Sequence, residues 1–300
     1  MNERFIRYLK CVGTGAKHNR DLSGEEMADA MTMMLEGSAE PEQIAAFLLG
    51  WRLKPESTEE FRAALAVLDS YTKKVPVEKG LELGYPFDGK ADNPYLFHLA
   101  AAAVAPFGIR PVVYTGELQP SKNGLSVKEA CDALDLPANL VRFDRKNYAP
   151  ALAALTPVRQ KLGLRTGLNT LERLPHVGGC DTAVIGVFHK PYVKKYIKIF
   201  GDRYERLIIL KGNEGTPEIF GKCRLWVYEK GETEEIVVDP AKFGVTYRKS
   251  FERISKEEAI AQMREPDEAL VKLAKFNAAL WLFAKNEAAT IAEGWEKIDV

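Results

Sequence analysis

Neither charge dominates this 300-residue sequence, in which 42 Lys and Arg meet 42 Asp and Glu. A chain so balanced is not, as a whole, an evident binder of nucleic acid or of an anionic membrane surface, and any such role is left to local patches. Cysteine is scarce: Cys11, Cys131, Cys180 and Cys223 stand far apart and form no Cys-x-x-Cys or Cys/His cluster. That spacing fits reduced thiols in a cytoplasmic protein better than a disulfide framework or a zinc site. No stretch approaches the roughly 20 apolar residues of a membrane span, and the opening MNERFIRYLK is charged and amphipathic with no signal-type apolar segment. A soluble, cytoplasmic protein off the membrane is expected. Histidine is also sparse, at four. His98, inside the apolar LFHLAAAAV, reads as a packed and hydrogen-bonded core residue, while His176 and His189 have no neighbouring acid or cysteine that would make either a catalytic base.

Apolar residues make up 46% of the chain, enough for one large or two ordinary domains with substantial cores. Over residues 4–79 they recur at spacings of three and four in FIRYLKCVG, LSGEEMADAMTMMLEG, PEQIAAFLLGWRLK and STEEFRAALAVLDSYTKKV. Ser23 caps the second of these helices with Glu25 and Glu26 in its first turn, and the pattern of Ser/Thr or Pro starts and Gly or Pro ends holds for the set. From Leu81 the texture changes to short apolar strands, RPVVYTG, DTAVIGVF and ERLIILKG, alternating with helical stretches. CRLWVYEKGETEEIVVDP reads as a hairpin turning at Lys230-Gly231, and the tail from Lys256 returns to helix. The fold class is therefore α/β: a small N-terminal helical domain over residues 1–80 and a larger α/β domain over residues 81–300 with a mostly parallel sheet. The C-terminal helices are expected to pack back near the helical domain. The methionines and leucines of DAMTMMLEG and AAFLLGW exceed what one small helical module can bury alone, which points to a homodimer through that domain.

Five stretches carry a family resemblance. DLSGEEMADAMTMMLEGSAEPEQIAAFLLGWRLKPESTEEF resembles the N-terminal helical domain shared by anthranilate phosphoribosyltransferases and pyrimidine nucleoside phosphorylases, the glycosyltransferase family 3 superfamily. GYPFDGKADN is similar to that family's GTGGDG loop, YTGELQPSKNGLS to its KHGNRSVSS loop, LGLRTGLNTLERL to its RTxFNxxGPL segment and LKGNEGTPEI to its HGxDGLDEI segment. The departures resemble a divergent anthranilate phosphoribosyltransferase-like subgroup, with which nucleic-acid binding has been associated. The resemblance implies a phosphoribosyltransferase-like protein with its site in the cleft between the two domains, a homodimer, and a phosphoribosyl pyrophosphate-like small molecule or anion as partner. It implies Gly84, Asp88, Gly89, Lys90 and Asn93 for the phosphoribosyl group, Gly116 and Lys122 in the second loop, and Arg165 for the acceptor. Glu218, with Glu214 as a substitute, is left to hold magnesium weakly where the family has an Asp-Glu pair and this sequence has Pro217-Glu218.

The residues themselves leave alternatives open. Asp88-Gly89-Lys90 is equally an ordinary solvated turn, Asn93 before Pro94 is a helix N-cap, and Arg165 fits a structural ion pair as well as a ligand carboxylate or phosphate. Pro86 removes an N–H from the first loop while Tyr85 and Phe87 add bulk, so true anthranilate transfer is expected to be absent or very weak. Residues 140–211 hold fourteen Lys and Arg against five acids, a local net charge of +9. If Arg142, Arg145, Lys146 and Arg173 adjoin the helical face of Lys190, Lys194, Lys195 and Lys198, they make a phosphate-tracking groove. That would be a non-catalytic, sequence-independent nucleic-acid binder, the alternative to the transferase-like reading.

Overall fold

The computed structural model describes residues 2–120, 124–247 and 252–299. Its first four helices, α1 (Glu3–Gly13), α2 (Gly24–Leu35), α3 (Pro41–Leu53) and α4 (Thr58–Ser70), form the helical domain. The caps written in the sequence are made: Ser23 with Glu26, and Ser57 with Glu60, close reciprocal capping boxes. Glu60 does more, because its buried carboxylate also accepts from Leu22 N at 2.9 Å, Trp51 Nε1 at 3.2 Å and Lys54 Nζ at 2.9 Å. One side chain thus ties the start of α2 and the end of α3 to α4. Around it the rings of Phe5, Phe47, Trp51 and Phe61 pack in series at tilted angles. Met27, Met31, Met33 and Met34 are buried in this same protomer core, so they supply no dimer face.

The Arg20 side chain and the Ser23 N–H hold Glu26 at about 2, against an ordinary 4.5. A depressed carboxylate stabilises the fold above the unfolded value and loses that contribution as pH falls from 4.5 toward 2. The pair is substantially exposed, so Glu26→Gln is expected to lower the melting temperature at pH 7 by only about 2–4 °C. Melts across pH should show the gap to wild type narrowing below pH 4.5.

Among the described residues seven strands follow: β1 (Gly80–Gly84), β2 (Arg110–Thr115), β3 (Val141–Asp144), β4 (Thr182–Gly186), β5 (Arg206–Leu210), β6 (Cys223–Glu229) and β7 (Glu232–Val238). Their order is β3-β2-β1-β4-β5-β6-β7, parallel from β3 to β5 and antiparallel at β6 and β7. Lys230 and Gly231 turn the last hairpin with φ of 52° and 84°, the type I′ geometry that matches strand twist. The edge strand ETEEIVV exposes a row of glutamates that discourages further pairing.

Strand alternation splits the core in two. Val112, Tyr114, Ala183, Ile185, Leu207 and Ile209 face one side, Leu81, Leu83, Val113, Val184, Ile208 and Leu210 the other. α5 (Phe97–Val104) and α6 (Val127–Asp132) cover the second side. The first side is covered by the helical domain together with α7 (Arg145–Tyr148), α8 (Pro150–Ala154), α9 (Thr156–Leu162), α10 (Leu168–Leu171) and α11 (Pro191–Phe200). The tail forms α12 (Lys256–Arg264), α13 (Glu268–Ala284) and α14 (Ile291–Lys297). Contrary to the sequence expectation, these helices do not return to the helical domain. Every residue from Phe276 to Ala284 is buried, so α13 needs cover on all sides, and it finds this between α5, the second face of the sheet and α14.

Burial pushes the thiols of Cys131, Cys180 and Cys223 up to about 12, and all four cysteines are unpaired. No helix among the described residues is long and apolar enough to cross a membrane.

Candidate functional site

The chain leaves β1 toward β2 on one side and returns to place β4 on the other, so the β1–β4 neighbourhood is the switch point of the sheet. Crevices in open α/β sheets form where the loops leaving the carboxyl ends of such strands part. Here a cleft of about 340 Å³ opens at that place. Pro86 comes from the loop after β1, and Phe188 and His189 from the loop after β4. Arg165, Thr166, Asn169 and Arg173 line it from the α10 segment, Tyr192 and Tyr196 from α11, Arg52 from the last turn of α3, and Glu214 from the turn before β6. Arg52 carries the helical domain into the cleft and its Nη1 donates to Tyr192 Oη at 3.3 Å.

The segment 84–91 is not an open loop but buried chain. Tyr85 packs edge-on against Tyr95 and Phe97, and Phe87 lies under the Arg145 guanidinium at 4.6 Å. Bulk that crowds a phosphate loop has become core. Gly89 adopts a φ of 81°, open to glycine without penalty, and a Cβ there would also press on the Gly124 carbonyl at 3.1 Å. Gly84 sits with its carbonyl oxygen accepting from Arg173 Nε at 3.1 Å.

Lys90 is neither a solvated turn residue nor open to a ligand phosphate. Its backbone bridges Leu125, and its ammonium is buried on Glu218 Oε2 at 2.5 Å and Pro94 O at 2.8 Å. Burial lowers the Lys90 pKa against the opposing pull of Glu218. Glu218 is filled on its other oxygen by Tyr85 Oη at 2.9 Å and Leu96 N at 2.6 Å. Glu214 lies on two successive amides, Ala91 N at 2.7 Å and Asp92 N at 3.1 Å. Burial raises its carboxyl above the usual range, while Lys90 and the amides pull the other way. Holding it there requires a left-handed backbone, φ 50° and ψ 23°, a strain of about 1 kcal/mol for a residue with a Cβ. Glu214 and Glu218 therefore do not stand as two open metal ligands, and no group of three acids, histidines or cysteines placed to hold a metal exists among the described residues.

Asp88 is buried and pairs with Arg165, whose side chain remains 45% exposed at the cleft. Asn93 does not cap a helix, since α5 begins at Phe97 with Leu96 before it. It is buried with its Oδ1 lacking a hydrogen bond among the described residues. Gly116 backs onto the Arg145 side chain, and Lys122 lies outside the described residues. His98 is a core histidine as expected: Nε2 meets Met263 O at 2.9 Å and burial lowers its pKa.

The Glu172-Arg173 pair carries a structural role that sequence reasoning missed. Glu172 is buried between Arg145 (2.8 Å) and Arg159 (2.8 Å to each oxygen). Arg173 donates to the carbonyl oxygens of Gly84 and Gly215 and to Tyr196 Oη, tying the loop after β1 to the turn before β6.

The eight cations offered for nucleic acid do not form one open groove. Arg145 and Arg173 are buried, and Arg142 pairs with Asp132, Lys146 with Glu117, Lys190 with Glu235 and Lys195 with Glu56. Lys194 and Lys198 are exposed on α11. Six of the eight are thus buried or paired with an acid, although Lys146 and Lys190 remain largely exposed in their pairs.

Two family descriptions match the chain: "Glycosyl transferase family, helical bundle domain" over residues 6–71 and "Glycosyl transferase family, a/b domain" over residues 138–299. An uncharacterized protein of Aquifex aeolicus (strain VF5) is 28% identical over 291 residues, covering 93% of each chain. An anthranilate phosphoribosyltransferase of Neisseria meningitidis serogroup C (strain 053442) is 28% identical over 303 residues, covering 92% of this chain and 86% of that one. Among solved structures, the anthranilate phosphoribosyltransferase of Thermus thermophilus aligns at TM-score 0.74 and 20% identity, covering 99% of this chain and 93% of that one. The Saccharomyces cerevisiae enzyme in complex with PRPP and Mg aligns at TM-score 0.78 and 15% identity, with 99% and 93% coverage.

Proposed function

The chain belongs to the glycosyl transferase family, and from that premise we propose that it is a divergent phosphoribosyltransferase-like protein whose interdomain cleft binds a sugar phosphate or related organic anion. One observation carries the reading: Arg52 and Arg165 reach the same cleft from different domains with their side chains 40% and 45% exposed. Guanidinium groups held that way by Tyr192 and Asp88 are pre-oriented for a bidentate carboxylate or phosphate. Asp88 stands behind Arg165 as its partner, while Lys90 is turned away onto Glu218. The protein acts in the cytoplasm, and the reading needs no protein nucleophile, because glycosyl transfer of this kind rests on positioning and charge stabilisation.

Thermal melts with phosphoribosyl pyrophosphate, pyrophosphate and sulfate test it. Saturating phosphoribosyl pyrophosphate should raise the melting temperature by about 5 °C, since ligand at a hundredfold excess over Kd adds about 2.7 kcal/mol. Arg165→Ala and Arg52→Ala should each remove most of that shift. Absence of any shift, beside DNA binding that weakens steeply with salt and depends on Lys194 and Lys198, would favour the nucleic-acid reading instead.

We also propose a homodimer through the helical domain, where Leu53 stands 72% exposed at the end of α3. Light scattering at micromolar concentration should give twice the chain mass of 33.5 kDa. A monomer mass would refute it.

A further inference from the structure

A divalent metal of the kind named with PRPP in the yeast structural neighbour does not fit the donors at Glu214 and Glu218. Magnesium asks for oxygen ligands near 2.0–2.1 Å in an octahedron of about six. Both oxygens of Glu218 are already taken by Lys90, Tyr85 and the Leu96 N–H. Glu214 is turned onto the amides of Ala91 and Asp92. The Lys90 ammonium stands 2.5 Å from the carboxylate, which is where a bound cation would have to be. It has no route away, being fully buried with Phe220 4.0 Å and Tyr95 5.4 Å from their ring centres.

We infer that Lys90 is a tethered, built-in cation at Glu218 that takes the place of a dissociable divalent metal, and that this protein holds no metal there. A lysine suits the task because its head is a compact charge with three donors. Two donors are accounted for by Glu218 and Pro94, and the aromatic rings accept the remaining positive face. The tether also does structural work. Glu218 lies 128 residues from Lys90, so the pair clamps the loop after β1 to the turn before β6 without an exchangeable ion.

The test is a titration of the whole protein with Mn²⁺, reading the free aqua ion by electron paramagnetic resonance. Because it reads metal alone, it stands whether or not the cleft binds a phosphate. Wild type and Glu218→Gln should leave the free signal equally undiminished at millimolar Mn²⁺. Lys90→Met should melt about 5–8 °C lower, as expected when one member of a buried pair is removed. It should also bind Mn²⁺ at least about tenfold more tightly than wild type, because a like charge roughly 4 Å from a divalent ion repels it by more than that even at the dielectric of water. Lys90→Met with Glu218→Gln, which leaves no charge behind, should recover the fold and bind no Mn²⁺. Should Lys90→Met fail to fold while the double variant folds, the uncompensated carboxylate is the cause and the inference stands. Stoichiometric Mn²⁺ binding by wild type that Glu218→Gln abolishes would overturn it, as would a Lys90→Met protein with unchanged melting and no gain of metal.

Discussion

Glu172→Gln is expected to destabilise the protein by about 3–5 kcal/mol, enough to lower its melting temperature by roughly 5–8 °C. The substitution keeps the shape of the side chain and removes its charge. Arg145 and Arg159 then face one another across a neutral amide at a site where their side chains are 1% and 2% exposed. Water cannot reach them to compensate, and each guanidinium is left with unpaired donors. Arg145 retains Glu117 O at 3.0 Å and the face of Phe87, whereas Arg159 has lost a bidentate partner. Adding Arg159→Leu to Glu172→Gln should therefore return part of the loss, because it removes the worse-placed of the two orphaned charges. Melts of the two variants check this; equal stability of wild type and Glu172→Gln would show the buried triad to be inert.

Local features of the fold were legible in the sequence for a simple reason: their signals act over a few residues. Ser23 and Glu26 announce a helix start because a cap needs partners only three residues away. Lys230-Gly231 announces its turn because only left-handed residues fit it. The apolar runs of β1, β4 and β5 mark strands buried on both faces. The side of the sheet taken by the C-terminal helices was not legible, since α13 is apolar nearly all round and its pattern names no single partner.

The site divides in the same way. Asp88 and Arg165 were singled out, and they meet across 77 residues. Lys90 was singled out as well, yet its partner Glu218 is 128 residues distant, and nothing near GYPFDGKADN says that its ammonium turns inward. Arg173 reaches 89 residues back to Gly84, and Arg52, Phe188 and Tyr192 enter the cleft only because the helical domain and α11 converge there. A charge count over residues 140–211 could not separate Arg145, Arg159 and Arg173, which are buried, from Lys194 and Lys198, which are exposed.

Anthranilate phosphoribosyl transfer should run at least about a thousandfold below the rate of a typical enzyme, because several separate donors are missing and one oxyanion-type donor alone is commonly worth about 100-fold or more. Pro86 has no N–H to give. The amides of Ala91 and Asp92 are held by Glu214, and an incoming pyrophosphate must first displace that carboxylate. Lys90 is committed to Glu218 and cannot reach the cleft without breaking a buried pair. The described part of the second loop, residues 116–120 and 124–126, offers no Lys, His, Asn or Arg, and Lys122 and Asn123 lie outside the described residues. These losses fall on different groups, so no single reversion should restore turnover. Glu214→Ala is the informative variant. It frees two amides and should strengthen pyrophosphate binding in the melts while leaving anthranilate transfer near zero, because Pro86 and the second loop are unchanged. Fluorescence-monitored consumption of anthranilate with phosphoribosyl pyrophosphate, with and without magnesium, measures the rate. Turnover by wild type at a few per second would show that the cleft assembles its donors from residues other than these, and would return the protein to the activity of its named relatives.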